Sequence, residues 1–172
     1  PVFIFIPIAI KLTSKGPVFY RQKRVGLREG VFNLIKFRSM IQDAEAGIGA
    51  VWSQKNDPRV TPIGRFMRRT RIDEIPQFLN VLSGDMSIIG PRPERPEFVK
   101  ELEKEIPYYS LRHTVKPGLT GWAQINYRYG ASEEDAVEKL HYDLYYIQEA
   151  SLLLDIVIVL KTISTLILKR GS

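Results

Sequence analysis

Apolar residues are concentrated at the two ends of this sequence. Residues 1–10 read PVFIFIPIAI and contain no charged or polar side chain, and residues 151–170 read SLLLDIVIVLKTISTLILKR. Ten helical residues rise about 15 Å, whereas a bilayer core needs about 20 residues, so the first run cannot span a membrane by itself. Asp155 and Lys161 interrupt the second run. A charge near the bilayer centre costs several kcal/mol, which argues against a membrane-spanning helix there.

Each apolar run has two interpretations. A signal peptide places its charges before the apolar stretch, but here Lys11 and Lys15 follow it. We therefore expect residues 1–10 to belong to a longer hydrophobic segment that begins before this sequence; the alternative is a buried helix or strand. We expect residues 151–170 to form a helix, either in a membrane interface with Lys169 and Arg170 at its C-terminal end, or in the core.

Between the ends, short periodic segments predict a mixed fold. The runs VFY and VFNLIKF within residues 18–37 are rich in β-forming residues and flank a Gly26–Gly30 turn, which predicts a hairpin. Helical spacing occurs at Ile75, Phe78, Leu79 and Leu82, at Phe98, Leu102 and Ile106, and within residues 133–146. We expect a single α+β domain over residues 1–172, in which helices dominate a small sheet. Residues 42–57 read as a mobile loop.

Charge is distributed unevenly along the 172 residues. The net charge is +6, but residues 11–71 carry 14 basic and 4 acidic side chains, whereas residues 72–172 carry 11 basic and 15 acidic ones. The basic half is suited to an anionic partner, such as nucleic acid, a membrane surface or a phosphorylated substrate. Cysteine is absent, which excludes disulfides and thiolate chemistry.

Common catalytic motifs are also missing. The sequence contains no GxxxxGK[ST] loop, no GxGxxG after a strand, no GxSxG elbow and no HExxH. His113 and His141 lack the spacing of metal ligands, so we interpret both as packing or hydrogen-bonding residues.

The segment from Arg65 to Pro93 has an unusual arrangement of charged residues. Asp73 and Glu74 follow four arginines, and the predicted amphipathic helix begins near Pro76. Aspartate is a favoured N-cap, and a helix N-terminus binds phosphate and keeps a carboxylate ionised. The simpler interpretation is a helix cap beside a solvated basic face.

A second cluster, Gly90-Pro91-Arg92-Pro93, places an arginine between two prolines. Arginine can bind phosphate through two parallel hydrogen bonds, and a rigid backbone reduces the entropy lost on binding. Alternatively, the prolines merely shape a surface loop.

Together these segments resemble one known family. The pattern RxxxxDExPQxxNVxxGDMSxxGPRP, preceded by KFRSM at 36–40 and followed by VKPGLTGWAQ at 115–124, is similar to the bacterial sugar transferases, the monotopic phosphoglycosyl transferases. The resemblance runs from Pro1 to about Lys169. It implies transfer of a sugar 1-phosphate from a UDP-sugar to undecaprenyl phosphate, with release of UMP, as the first membrane step of polysaccharide or glycoconjugate synthesis.

The resemblance also implies roles for individual residues. Asp73 matches the nucleophile that forms a covalent phosphosugar intermediate, and Glu74 matches its partner, which orients Mg²⁺ with Asp73 or assists proton transfer. The remaining implied positions are the phosphate-binding Arg68, Arg92, Lys36 and Arg128, and the supporting Asp155, Pro91 and Pro93.

The implied location is the bacterial inner membrane, with the active site on the cytoplasmic face. Members of the family insert a re-entrant helix that breaks at a Ser-Pro step, and Pro1 aligns with that proline. Residues 1–12 would then be the second half of the re-entrant helix, whose first half is absent from this sequence. The implied partners are the UDP-sugar, the polyprenol phosphate, phospholipid and a second copy of the chain in a homodimer.

Two alternatives without catalysis remain at this stage. A nucleic-acid-binding module would also be basic and aromatic, but it does not require a Pro-Arg-Pro segment or an acidic pair among arginines. A membrane-surface interaction module would bind lipid and show no turnover. The resemblance favours the enzyme, and it implies no nucleic-acid partner.

Overall fold

The computed structural model describes residues 1–47, 49, 57–127 and 132–168. In chain order, its helices and strands there are α1 (Val2–Thr13), β1 (Phe19–Val25), β2 (Val31–Phe37), α2 (Pro62–Thr70), α3 (Gln77–Leu82), β3 (Ser87–Ile89), α4 (Pro96–Glu105), β4 (Gly118–Thr120), α5 (Trp122–Asn126), α6 (Glu133–Gln148) and α7 (Leu152–Leu168). The fold is α+β with helices dominant, as predicted.

The chain divides into two compact units. The first comprises Pro1–Arg21 and Ile35–Gln77, and the second comprises Gln22–Leu34 and Phe78–Ser172. The predicted hairpin is confirmed, because β1 and β2 pair as a two-stranded sheet around a 3₁₀ turn at Leu27–Glu29. The base of this hairpin belongs to the first unit and its tip to the second.

The core of the first unit is formed by α1, α2 and the end of β2. Ile6, Ile10, Phe37 and Met67 are buried together there. The N-terminal run is therefore helical, and the alternative of a buried strand is wrong. Only one side of α1 is covered, however, since other apolar side chains of this helix are exposed. These are Phe3, Ile4, Phe5, Ile8 and Leu12.

The start of α2 follows from its sequence, whereas its end depends on an unusual backbone conformation. The Thr61 side chain accepts a hydrogen bond from Gly64 N at 3.0 Å, and Pro62 occupies the first turn, where its missing N–H costs nothing. Gly64 is required because a Cβ there would lie 1.9 Å from the carbonyl oxygen of Ser39. Arg71 ends the helix in the left-handed conformation, with φ of 58°.

The core of the second unit lies between α4, α6 and the hairpin tip. Val25, Val99, Leu102, Ile106 and Tyr109 are buried there together with Leu140. The predicted helices at Phe98–Ile106 and at 133–146 are confirmed as α4 and α6. In the same unit, β3 and β4 pair in parallel, with Ser87 opposite Gly118 and Ile89 opposite Thr120.

The C-terminal apolar run forms α7, as predicted, and it is incompletely covered. Ile158 is fully buried, whereas Leu152, Leu153 and Leu160 are largely exposed. Lys169 and Arg170 lie outside the described residues, as does half of the predicted loop at 42–57. Among the helices described, none combines the length and the apolar character needed to cross a membrane.

Candidate active site

The acidic pair lies in a 3₁₀ turn, Ile72–Glu74, directly after α2. The left-handed backbone of Arg71 both ends α2 and begins this turn. A non-glycine residue in this conformation costs free energy, and such residues cluster at functional sites. The turn therefore places Asp73, Glu74 and Arg71 beside the last turn of α2, where Arg68 also lies.

Asp73 is buried, and its carboxylate is incompletely satisfied. The residue is 7% exposed, and Oδ1 has no hydrogen-bond partner among the described residues. Burial raises the pKa of Asp73, and the negative charge of Glu74 raises it further. The positive charges of Lys36, Arg68 and Arg71 act in the opposite direction. A buried carboxylate oxygen without a hydrogen-bond partner is costly, and a bound ion, a water or a catalytic role can explain it.

Glu74 is in a different environment from its neighbour. Its Oε1 lies 3.3 Å from Lys36 Nζ and 3.6 Å from Arg71 Nη1. The side chains of Lys36 and Glu74 are both mostly buried, which strengthens their interaction relative to a surface pair. Glu74 is thus neutralised by two cations, whereas Asp73 retains an unpaired oxygen.

Arg68 is held in place by the buried Ser39. Its Nε donates a hydrogen bond to Ser39 Oγ at 2.9 Å, which orients a planar guanidinium beside Asp73. The Ser39 carbonyl in turn accepts a hydrogen bond from Thr61 N at 3.0 Å. The predicted residues Lys36, Arg68, Asp73 and Glu74 are therefore brought together within the first unit.

The prediction that Asp73 caps a helix is wrong. The helix α3 begins only at Gln77, so Asp73 does not occupy the position before its first residue. Oδ1 of Asp73 accepts no hydrogen bond from a backbone N–H of the described residues. Burial raises the pKa of Asp73, whereas a helix N-terminus would lower it. Of the predicted helical face, Phe78, Leu79 and Leu82 are exposed.

The Pro-Arg-Pro segment lies in the second unit. Pro91 and Pro93 are buried and Arg92 is half-buried. The carbonyl oxygen of Arg92 accepts a hydrogen bond from Arg112 Nη2 at 2.9 Å. Arg112 also pairs with the buried Asp143 at 2.7 Å. The backbone that carries Arg92 is therefore held by an internal ion pair as well as by two prolines.

Asp155 is held by a tyrosine within the same unit. Tyr146 donates its hydroxyl hydrogen to Asp155 Oδ1 at 2.9 Å, from α6 to α7. Burial, together with this hydrogen bond, raises the pKa of Tyr146 to about 12. The charge that interrupts the C-terminal apolar run therefore has a partner inside the fold.

One predicted site residue is not described by the structure, and three residues with notable contacts were not predicted. Arg128 lies outside the described residues. Sequence reasoning did not single out Arg71, Ser39 or Arg112. Ser39 lies in the KFRSM motif and Arg71 in the arginine cluster, so both segments were recognised without the particular residue. Nothing in the spacing of Arg112 and Asp143 signals their pairing.

Only one residue of the acidic pair, Asp73, is well suited to bind a divalent cation. Mg²⁺ prefers oxygen ligands, and the unpartnered Oδ1 of Asp73 is such a ligand without a competing hydrogen bond. Glu74 is a weaker candidate because Lys36 and Arg71 already contact its Oε1.

Comparison with known proteins identifies the family. The bacterial sugar transferase family matches residues 1–169. The chain is 48% identical, over its full length, to a UDP-N-acetylgalactosamine-undecaprenyl-phosphate N-acetylgalactosaminephosphotransferase of Aeromonas hydrophila, covering 40% of that protein. It is 47% identical, over 95% of its length, to a UDP-glucose:undecaprenyl-phosphate glucose-1-phosphate transferase of Escherichia coli (strain K12), covering 35% of that protein.

A third relative is shorter. The chain is 56% identical over 112 residues, 65% of its length, to a putative undecaprenyl-phosphate N-acetylgalactosaminyl 1-phosphate transferase of Bacillus subtilis (strain 168), covering 62% of that protein. These matches place the chain in the class of bacterial sugar transferases. The chain is a member of the bacterial sugar transferase family, and it spans about 40% or less of the Aeromonas and Escherichia relatives.

Proposed function

We propose that this chain transfers a sugar 1-phosphate from a UDP-sugar to undecaprenyl phosphate and releases UMP. Its relatives are named for undecaprenyl-phosphate sugar phosphotransfer with N-acetylgalactosamine or glucose. The observation that carries the proposal is the buried Asp73 with an unpartnered Oδ1 among three cationic side chains. This arrangement suits a carboxylate that attacks an anionic phosphate.

In the first step, Asp73 acts as the nucleophile. Its ionised carboxylate attacks the β-phosphorus of the donor, the bond from that phosphorus to the bridging oxygen breaks, and UMP leaves with the electron pair. The product on the enzyme is an acyl phosphate that carries the sugar. Because Oδ1 accepts no hydrogen bond in the described structure, no donor must be removed before the attack.

In the second step, a phosphate oxygen of undecaprenyl phosphate attacks the phosphosugar, and the acyl phosphate bond breaks to regenerate the Asp73 carboxylate. Both steps concentrate negative charge at phosphorus. Lys36 and Arg68 are cations beside Asp73 and are assigned to phosphate oxygens, as are Arg92 and Arg128.

Asp73 and Glu74 are the residues that would hold Mg²⁺. Bound there, the ion would neutralise charge on the diphosphate of the donor. The contacts of Glu74 with Lys36 and Arg71 suit a second task, which is to keep both cations positioned next to Asp73.

The proposed location is the cytoplasmic face of the bacterial inner membrane. The exposed apolar side of α1, with Phe3, Ile4, Phe5, Ile8 and Leu12, supports contact with lipid at residues 1–12. These residues would form the second half of a re-entrant helix. The basic character of residues 11–71 is suited to anionic headgroups next to that contact.

The covalent step can be tested by intact-protein mass spectrometry. Detergent-solubilised protein is mixed with Mg²⁺ and, separately, with each member of a panel of UDP-sugars. We expect one sugar to add the mass of its phosphate ester and to release UMP, which also identifies the donor. The Asp73→Asn variant should form no adduct, because an amide cannot replace the carboxylate as nucleophile.

The matched control is Asp43→Asn, which removes a carboxylate from an exposed position of the same unit. It should form the adduct as the wild type does. Turnover of donor and acceptor without an adduct in the wild type would reject the covalent route in favour of direct transfer. Turnover in Asp73→Asn at the wild-type rate would reject the assignment of Asp73.

A further inference from the structure

A second group of potential ligands lies in the second unit and has no part in the proposed reaction. We propose that Glu29, Glu103 and His113 form a binding site for a divalent transition-metal ion, with Zn²⁺ as the ion that best fits the donor set. The site shares no residue with the proposed transferase reaction, so the two proposals can be tested separately.

Three separate elements contribute one residue each. Glu29 ends the 3₁₀ turn at the hairpin tip, Glu103 lies on α4, and His113 lies in the 3₁₀ helix Tyr109–Thr114. One potential ligand atom of each residue lies within 4.8 Å of the other two. No sequence motif could reveal this arrangement, because the spacing along the chain is irregular.

His113 is the residue that points to a ligand. It is 7% exposed, and its buried Nδ1 has no hydrogen-bond partner among the described residues. Burial, followed by the charge of Arg112, lowers the pKa of His113 to about 4, so the imidazole is neutral at physiological pH. A neutral imidazole has a lone pair available for a metal, whereas the protonated form does not.

The two carboxylates supply the negative charge of the site. Neither Glu29 nor Glu103 forms an ion pair within the described part of the chain. Partial desolvation raises the pKa of Glu103 although its side chain is exposed, and the nearby charge of Glu29 raises it further. Two like charges held together are unfavourable, and a bound cation would remove that repulsion.

The kinds of ligand atom at this site determine which cation it prefers. One imidazole nitrogen with two carboxylate oxygens is typical of Zn²⁺ and related first-row ions, whereas Mg²⁺ prefers oxygen and water. Zn²⁺ bonds of about 2.0–2.2 Å place neighbouring ligand atoms roughly 3.5 Å apart. Both glutamates are exposed and can rotate inward to reach that separation. A water would complete the tetrahedron.

Metal binding at this position would connect three elements. The hairpin tip, α4 and the Tyr109–Thr114 helix would share one ion, in addition to the apolar core that Val25, Leu102 and Tyr109 already form. We therefore expect Zn²⁺ to increase the stability of the second unit rather than to take part in sugar-phosphate transfer.

The test is a Zn²⁺ competition titration against a chromogenic chelator, with the full chain free of any histidine tag and in the presence of Mg²⁺. We expect one equivalent of Zn²⁺ to bind with micromolar or tighter affinity. Glu29→Gln and Glu103→Gln should each weaken binding about tenfold or more. Thermal unfolding should shift upwards with Zn²⁺ in the wild type and less in these variants.

Two matched controls separate this site from adventitious binding. Glu101→Gln changes an exposed glutamate of the same helix and should leave the affinity unchanged. His141→Gln removes the other histidine, which lies 3.8 Å from Glu138 on the surface of α6. Since the chain has two histidines, any imidazole ligand seen by X-ray absorption in His141→Gln must come from His113.

A His113 variant is not used, because the residue is buried and its replacement can prevent folding. The other variants are sufficient to test the proposal. Retention of tight Zn²⁺ binding in His141→Gln, with loss in Glu103→Gln, supports the site. Absence of stoichiometric Zn²⁺ binding overturns it. It is likewise overturned if His141→Gln abolishes binding, or if Glu101→Gln weakens it as much as Glu103→Gln does.

Discussion

Lys36 Nζ lies 3.3 Å from Glu74 Oε1, and Glu74 directly follows the buried Asp73. The same ammonium group therefore neutralises one carboxylate and lowers the pKa of the other, against the effect of burial. Arg71 contributes in the same sense from its left-handed position at the end of α2. The acidic pair is thus asymmetric: Glu74 is paired with cations, and Asp73 keeps an oxygen without a hydrogen-bond partner in the described part of the chain.

This asymmetry predicts a pH effect for Lys36→Met. Removing the ammonium group raises the pKa of Asp73 further, so the acid limb of the kcat/KM profile should move to higher pH. Transfer at neutral pH should fall by about 10²–10³, because the cation proposed to contact phosphate oxygens is also lost. The measurement is UMP release from the UDP-sugar across a range of pH.

Two further variants separate charge from structure. Lys36→Arg keeps the positive charge and should leave the acid limb near its wild-type position. Lys23→Met removes an exposed lysine from β1 and should have no effect. An unshifted acid limb with wild-type kcat in Lys36→Met would contradict the role assigned to this residue.

Burial of Asp73 predicts that its ionised carboxylate destabilises the fold. Its pKa is raised in the folded state, so its contribution favours folding below the unfolded pKa and is lost as the pH rises through the folded pKa. Asp73→Asn should therefore increase the free energy of unfolding at neutral pH, by about 0.5–2 kcal/mol, while abolishing transfer. Urea unfolding measures the difference.

The gain should disappear at low pH, where Asp73 is protonated in the wild type too. Asp43→Asn, at an exposed position, should show neither the gain nor its pH dependence. A lower stability of Asp73→Asn at neutral pH would show instead that the ionised carboxylate is needed for folding.

Sequence reasoning predicted residues that the structure brings together at the candidate site, but not their environment. The segments KFRSM and RxxxxDE led to Lys36, Arg68, Asp73 and Glu74, and the structure brings these side chains together. The helix cap expected at Asp73 was wrong because the left-handed Arg71 starts a separate turn before α3. A positive φ at an arginine has no signature in sequence, since glycine or asparagine is the usual residue there.

The fold was predicted where a segment has its own periodicity. The hairpin, α4, α6 and α7 follow from local patterns of apolar residues. The parallel pairing of β3 with β4 was not predicted, because both strands are only three residues long and their partners are distant in sequence. The same applies to Arg112 and Asp143, which pair from two different helical segments.

The Arg112–Asp143 pair predicts a large loss of stability when one partner is removed. Both side chains are buried, 2.7 Å apart, and Arg112 also donates to Tyr109 Oη at 2.6 Å. Asp143→Asn leaves a buried guanidinium without its counter-charge, and we expect a cost of about 3–5 kcal/mol. Urea unfolding of the variant at neutral pH measures this cost.

Double substitution provides the control for this pair. Asp143→Leu combined with Arg112→Met removes both charges, and it should cost less than the sum of the single changes. Additive losses would contradict the pairing. Arg112 also donates a hydrogen bond to the carbonyl oxygen of Arg92, which is proposed to bind a phosphate of the donor. If Asp143→Leu or Arg112→Met still folds, it should therefore also have a raised KM for the UDP-sugar.

The hydrogen bond from Tyr146 to Asp155 predicts a pH-dependent contribution to stability. The pKa of Tyr146 is raised from 10.0 to about 12, so the protonated hydroxyl stabilises the folded state below pH 10 and loses this effect as the pH approaches 12. Tyr146→Phe should cost about 1.5–3 kcal/mol at neutral pH, because the bond is made to a charged group. Tyr145→Phe, at an exposed position of the same helix, should cost far less. Thermal unfolding of both variants between neutral pH and pH 11 tests this, and a Tyr146→Phe deficit that does not shrink with rising pH would contradict it.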